Sequence, residues 1–224
     1  MIRYKEREYF KSSLFAIAAR IFYTAAVPVM FVWVCLFNGA RISGLKNIKG
    51  LRSAVTVCNH VNKMDSALIA SAFYPHKLVF PTVPEKIYKL FPGIFFNLLG
   101  CVSIPRKYSE VQDFFEKMKK LLAEGRIVHF FPEGFITPYS TEIQRFKRGA
   151  FFLAAQAHAP LVPMVISFHE PRLPQKILRK KPVMHLAIGE PISPASTDIK
   201  EDERIRMSAV SQQMAKMISP PQGI

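Results

Sequence analysis

Apolar and polar positions are distributed very unevenly along the chain. Residues 21–40 read IFYTAAVPVMFVWVCLFNGA, with no charged residue between Arg20 and Arg41. As a straight helix this run would be about 30 Å long, the thickness of a bilayer's hydrocarbon core. Pro28 lies inside it and is expected to kink or break such a helix. Beyond residue 41 the pattern changes to short apolar runs separated by turn residues. Residues 41–48 suggest a short strand and turn, and residues 54–58 (AVTVC) the compact pattern of a buried strand. Residues 77–83, 127–131, 161–167 and 182–188 are expected as further strands. Residues 65–73 read as a helix ended by Pro75, and residues 92–100 as another apolar segment closing on Gly100. The clearest helix covers 109–124, where Val111, Phe114, Phe115, Met118, Leu121 and Leu122 share one face. Ser109 with Gln112 suggests a capping box at its start, and Gly125 a cap at its end. Residues 148–157 and 196–218 complete the helices.

Strands alternating with helices across short connections predict an α/β fold. The expected architecture is a central, mostly parallel sheet flanked by helices, with an N-terminal membrane-associating helical segment. The expected division is residues 1–40 for that segment and residues 41–224 for one catalytic-type domain.

Charge adds a partner. The 224 residues carry a net charge of +15, which fits an anionic membrane surface, phosphorylated substrates or an acidic protein. Nucleic acid is not expected, because the cations are dispersed and no nucleic-acid module is present. Arg3, Lys5, Arg7, Lys11 and Arg20 precede the apolar run; Arg41, Lys46, Lys49 and Arg52 follow it. Positive charge on both sides suits a segment that dips into the membrane or lies in its interface, with both ends on the cytoplasmic face. Cys35, Cys58 and Cys101 have neither disulfide-framework nor zinc-site spacing. No metal or redox cofactor is implied.

Several polar clusters stand where buried strands end. Asn59-His60 and Asp65 follow the strand at 54–58, at the end of an open α/β sheet where ligands bind. Five residues apart on a regular helix, His60 and Asp65 would diverge by about 140°. A turn between them, with Asn62 capping the helix, would let Asp65 hold one imidazole nitrogen and leave the other free to take a proton. Asp65 could equally serve only in a capping box with Asn62. Phe131-Pro132-Glu133-Gly134 follows a second strand, and Arg106 with Lys107 a third apolar segment. Lys147 and Arg148 precede a helix start, a natural anion site.

The ordered set N-H-x-x-x-x-D (59–65), G-x-x-x-x-x-R (100–106), F-P-E-G (131–134) and V-P (162–163) resembles the glycerolipid acyltransferases. The best-known members of that family are the 1-acylglycerol-3-phosphate acyltransferases. F-K-x-G at 146–149 and I-G-x-P-I at 188–192 match as well. The resemblance implies that His60 is the general base, that Asp65 orients it, and that Arg106 binds the acceptor's phosphate. Glu133 and Gly134 would line the acceptor site, and Val162-Pro163 would support the acyl side. Lys107, Arg145, Lys147 and Arg148 are further candidates for acceptor binding. The implied donor is acyl-CoA or acyl carrier protein, the acceptor a lysophospholipid, and the place of action a membrane. The product would be phosphatidic acid. A lysophospholipid with another headgroup, a lyso-aminolipid, or a catalytically silent lipid-binding role are the alternatives. One departure is clear: the family's third block usually continues with Thr-Arg, and Phe135-Ile136 stand there. Nothing resembles the G-x-S-x-G nucleophile elbow, so the acceptor hydroxyl is expected to attack the thioester directly.

Overall fold

The structure is a computed structural model that describes residues 13–87, 90–140, 142–171 and 182–218. The basic residues Arg3, Lys5, Arg7 and Lys11 lie outside these. Five strands form the main sheet: β1 (Arg41–Ser43), β2 (Ala54–Cys58), β5 (Ile127–Phe130), β6 (Leu161–His169) and β7 (Val183–Ile188). Their order is β1-β7-β6-β2-β5, and every pairing is parallel except β6 with β7. Two short parallel strands, β3 (Phe80–Thr82) and β4 (Cys101–Ser103), continue the layer. The Val79 amide donates to the Ile127 carbonyl at 2.9 Å, and the His129 amide to the Val79 carbonyl at 2.8 Å. The α/β architecture with a mostly parallel sheet is therefore the one expected.

Side-chain alternation on the central strands builds two cores. Ala54, Cys58, Ile127 and Met164 face one layer; Val55, Val57, Val128 and Val165 face the other. The first layer receives α1 (Ser13–Asn38) and α2 (Asp65–Ala72). The second receives α5 (Val111–Ala123), α6 (Gly149–Gln156) and α7 (Ile199–Ile218). Two further helices, α3 (Pro84–Ile87) and α4 (Leu90–Leu98), connect β3 to β4.

Two local expectations are corrected. Of the kink or break expected at Pro28, the break does not occur: α1 runs as one helix of 26 residues. A proline removes the hydrogen bond to the carbonyl four residues earlier, here that of Thr24, and the Tyr74 hydroxyl donates to that carbonyl at 3.5 Å. The start of α5 also differs. Ser109 lies in a 3-10 turn over Tyr108–Glu110, in which the Glu110 amide bonds the Lys107 carbonyl, and no side chain caps the helix. Its end is as read: Gly125 has φ 78°, and the Gly125 and Arg126 amides bond the Leu122 and Leu121 carbonyls.

α1 is the one described helix long and apolar enough to cross a membrane. One stripe, Ala19, Tyr23, Val27 and Val34, is buried in the domain. Leu14, Ile17, Ile21, Val29, Val32, Trp33 and Leu36 are exposed along its whole length. Phe22 contacts Phe95 of α4 edge to face, and Ile94 and Phe95 are themselves exposed, so α4 extends the apolar surface.

Candidate active site

β2 ends at Cys58, and the chain turns before α2 begins at Asp65. Asn59 anchors the turn from below. Its side-chain amide donates to the Ile166 carbonyl at 2.9 Å, and its oxygen accepts the Ile166 amide at 2.7 Å, a two-point clamp onto β6. The turn itself differs from the expected cap. Asn62 does not cap α2; its side-chain oxygen accepts the Met64 amide at 2.9 Å, closing a tight local turn. Asp65 instead reaches backward. One oxygen, Oδ2, accepts from the amides of Val61 (2.7 Å) and Asn62 (2.9 Å) and from His60 Nδ1 (2.8 Å). The turn does for five-residue spacing what a regular helix could not.

Asp65 is fully buried, and its other oxygen, Oδ1, has no hydrogen-bond partner. Burial pushes its carboxyl above the ordinary value, and the hydrogen bonds from His60 and the two amides pull it back. With Nδ1 occupied, Nε2 is the imidazole nitrogen available to a substrate proton.

The imidazole plane is fixed by stacking. The His60 ring lies on Phe131 with centroids 3.9 Å apart and 14° between planes. Phe131 meets the edge of His129 at 4.6 Å. His129 in turn shares a 2.8 Å hydrogen bond with Thr56 on the neighbouring strand. Burial, with His60 nearby, lowers the pKa of His129 to about 3, so it is neutral at physiological pH.

The turn after β5 is fastened to the first. The Thr137 amide bonds the His60 carbonyl at 2.8 Å, and the Tyr139 amide bonds the Val61 carbonyl at 3.1 Å. Glu133 is turned inward rather than open to a ligand. It is 1% exposed, and its two oxygens accept the amides of His60 (3.3 Å) and Gln144 (3.1 Å). Its carboxyl is raised by burial and lowered by those amides. Gly134 has φ 80°, and a Cβ there would stand 2.4 Å from Lys147 Nζ. Gly134 therefore lets the Lys147 ammonium lie against this turn.

The remaining cations are placed differently. Arg106 is largely exposed and pairs with Glu85, and Lys107 Nζ is 3.6 Å from Glu110. Arg148 makes a two-point pair with Glu203 of α7, at 2.5 and 2.8 Å. His60, Asp65, Glu133, Gly134 and Lys147 are thus joined by direct contacts, while Arg106, Lys107 and Arg148 have carboxylate partners of their own. Phe135 is more than half exposed beside this cluster, and the Tyr139 ring packs on Phe168. Cys58, two residues before His60, is fully buried with its thiol pushed well above the ordinary value, unsuited to nucleophilic attack. No cluster of metal-ligating side chains occurs among the described residues.

A histidine held by a carboxylate at a strand exit is suited to drawing the proton from a substrate's own hydroxyl. Residues 39–167 match the model of the acyltransferase family, and the chain belongs to that family. It is 27% identical over 173 residues to 1-acyl-sn-glycerol-3-phosphate acyltransferase of Bacillus subtilis, covering 77% of this chain and 83% of that protein. It is 32% identical over 146 residues to the human 1-acyl-sn-glycerol-3-phosphate acyltransferase alpha, covering 63% of this chain and 51% of that protein. The chain thus matches about half the length of the human protein. The crystal structure of the 1-acyl-sn-glycerophosphate (LPA) acyltransferase PlsC from Thermotoga maritima shares the fold. It matches with a TM-score of 0.64 at 18% identity over 96% of this chain and 92% of that one.

Sequence reasoning missed the Asn59 clamp, the inward turn of Glu133 and the His60–Phe131–His129 stack. The first two depend on backbone partners more than 100 and 11 residues away. The third had a faint signal, since residues 129–131 read His-Phe-Phe at the end of a strand parallel to β2.

Proposed function

We propose that this chain transfers a fatty acyl group from a thioester, acyl-CoA or acyl carrier protein, to the free hydroxyl of 1-acylglycerol-3-phosphate. The product is phosphatidic acid, and the role is phospholipid biosynthesis. The observation that carries the reading is the 2.8 Å contact between His60 Nδ1 and Asp65, which reserves Nε2 for the acceptor hydroxyl. Nε2 takes the hydroxyl proton as the oxygen attacks the thioester carbonyl. The tetrahedral intermediate then collapses, and the proton passes to the departing thiolate. General-base catalysis is worth about 10²–10⁴-fold, so positioning of the two substrates supplies much of the remainder.

Lys147 against Gly134 offers a cation for the acceptor phosphate beside the catalytic turn. In this reading Arg106 and Lys107 contribute by exchanging their exposed carboxylate partners for the phosphate. Exposed Phe135, with Ile136 in place of the expected arginine, favours a second acceptor class: a lysophospholipid or lyso-aminolipid with a larger or less charged headgroup. Residues 1–40 serve as the membrane-associating segment of the acyltransferase domain, 41–224. α1 is packed onto the domain from Ala19 to Val34, about 23 Å of helix, which favours its lying in the interface. The cytoplasmic face is the side where the thioester donors are available.

The test is an acyl-transfer assay on purified protein in vesicles, with a panel of lysolipids and both donors. Preferred turnover of 1-acylglycerol-3-phosphate supports the first acceptor, and preferred turnover of a larger-headgroup lysolipid the second. Binding without turnover of any member would establish a lipid-binding role instead.

A further inference from the structure

A cleft of about 630 Å³ lies between the N-terminal half of α1 and the segments that lead into β3 and β5. Arg20, Tyr23, His76, Lys77 and Arg126 line it, and no carboxylate does among the described residues. The starts of parallel β2 and β5 are at the opposite end of the sheet from their exits, where His60 stands. The cleft is therefore separate from the catalytic turns.

Three features give it a ligand chemistry. Lys77 is half-buried beside Arg126, and its ammonium lies 5.9 Å from the centre of the Tyr23 ring. Burial, with Arg126 adding to it, lowers the Lys77 pKa to about 8. Clustered cations in a cleft that no carboxylate lines among the described residues are stabilised by a bound anion. Directly beside them, α1 exposes Leu14, Ile17 and Ile21. A cationic cleft bordered by an exposed apolar helix face matches the two halves of a phospholipid: a phosphate and its acyl chains.

We infer that the cleft formed by Arg20, Lys77 and Arg126 at the base of α1 binds the phosphate of an anionic phospholipid, at a site distinct from the catalytic one. The inference rests on α1 lying in the membrane interface. Two roles follow from its position. A headgroup held there fixes how far α1 sinks and how the domain is tilted on the surface. It also couples attachment to the amount of anionic lipid, the class to which the proposed product belongs.

The experiment uses the full chain in zwitterionic detergent, with the Lys77 side chain followed by NMR and short-chain phosphatidylglycerol added below its micelle concentration. The expected result is a saturable rise of the Lys77 pKa by about one unit. Arg126→Gln is expected to weaken the lipid's apparent affinity about tenfold, with Arg126→Lys restoring most of it. Inorganic phosphate at the same concentration is expected to move Lys77 far less, since it has no chains for α1 to hold. An equal response to inorganic phosphate would overturn the lipid assignment, and no response to either would remove the site. If Lys119→Gln with Lys200→Gln weakened binding as much as Arg126→Gln, diffuse charge would replace a defined cleft. Flotation with phosphatidylcholine vesicles reads α1 insertion alone, so failure of the membrane reading is seen separately from failure of the cleft.

Discussion

His60 and Asp65 meet because a turn between β2 and α2 lets Asp65 Oδ2 collect three donors: the imidazole Nδ1 at 2.8 Å and the amides of Val61 and Asn62. One carboxylate oxygen thus both builds the turn and sets the imidazole within it. Asp65→Asn keeps the size and much of the turn, but it removes the charge that steadies the imidazolium and can favour the wrong tautomer. Its expected effect is a loss of kcat of about 10²–10⁴-fold. Its stability should fall by only about 1–3 kcal/mol, as for a weakened buried hydrogen bond. Activity and urea denaturation, measured on the same preparation, check the pair of numbers. Unchanged specific activity with lowered stability would reduce Asp65 to a cap.

The contact between His60 and Asp65 was legible in the sequence because a histidine and an aspartate stood together just past a buried strand. So were most of the elements, whose apolar periodicities are strong. Periodicity failed where tertiary contacts decide. A proline normally ends a helix, yet Tyr74 supplies a donor to the carbonyl that Pro28 leaves unpaired. The family resemblance implied that Glu133 lines the acceptor site, but two backbone amides draw its carboxylate inside. Arg148 read as a phosphate ligand because it precedes a helix, and Glu203, 55 residues further on, holds it. Local sequence carries no sign of partners so distant.

Lys147 lies over Gly134, in the turn after β5 that is fastened to the His60 turn. If it holds the acceptor's phosphate, Lys147→Gln should raise KM for 1-acylglycerol-3-phosphate about tenfold and leave KM for the thioester donor near its starting value. An acceptor without a phosphomonoester should respond much less. A proportional rise for both substrates would indicate a damaged turn rather than a lost phosphate contact.

Acid sensitivity should trace in part to His129. Its folded pKa is about 3, against an ordinary value of 6.5. Between those values the unfolded chain binds a proton that the folded chain refuses, so stability is intact above pH 6.5 and is lost as pH falls. The slope is about 1.4 kcal/mol per pH unit for one such group. His129→Gln keeps a partner for Thr56 without titrating. The stability difference between native chain and variant should therefore shift by about 2 kcal/mol between pH 7 and pH 5, with the variant gaining. Urea midpoints at the two pH values measure it. Parallel losses in both proteins would assign the acid sensitivity to other groups.

The most direct measurement is acyl transfer to 1-acylglycerol-3-phosphate by vesicle-bound protein, compared between the native chain and His60→Ala. The expected result is turnover by the native chain and a loss of at least about 10²-fold in the variant, with flotation and thermal unfolding little changed. Near-native turnover by folded, membrane-bound His60→Ala would contradict the assignment of His60 as the base.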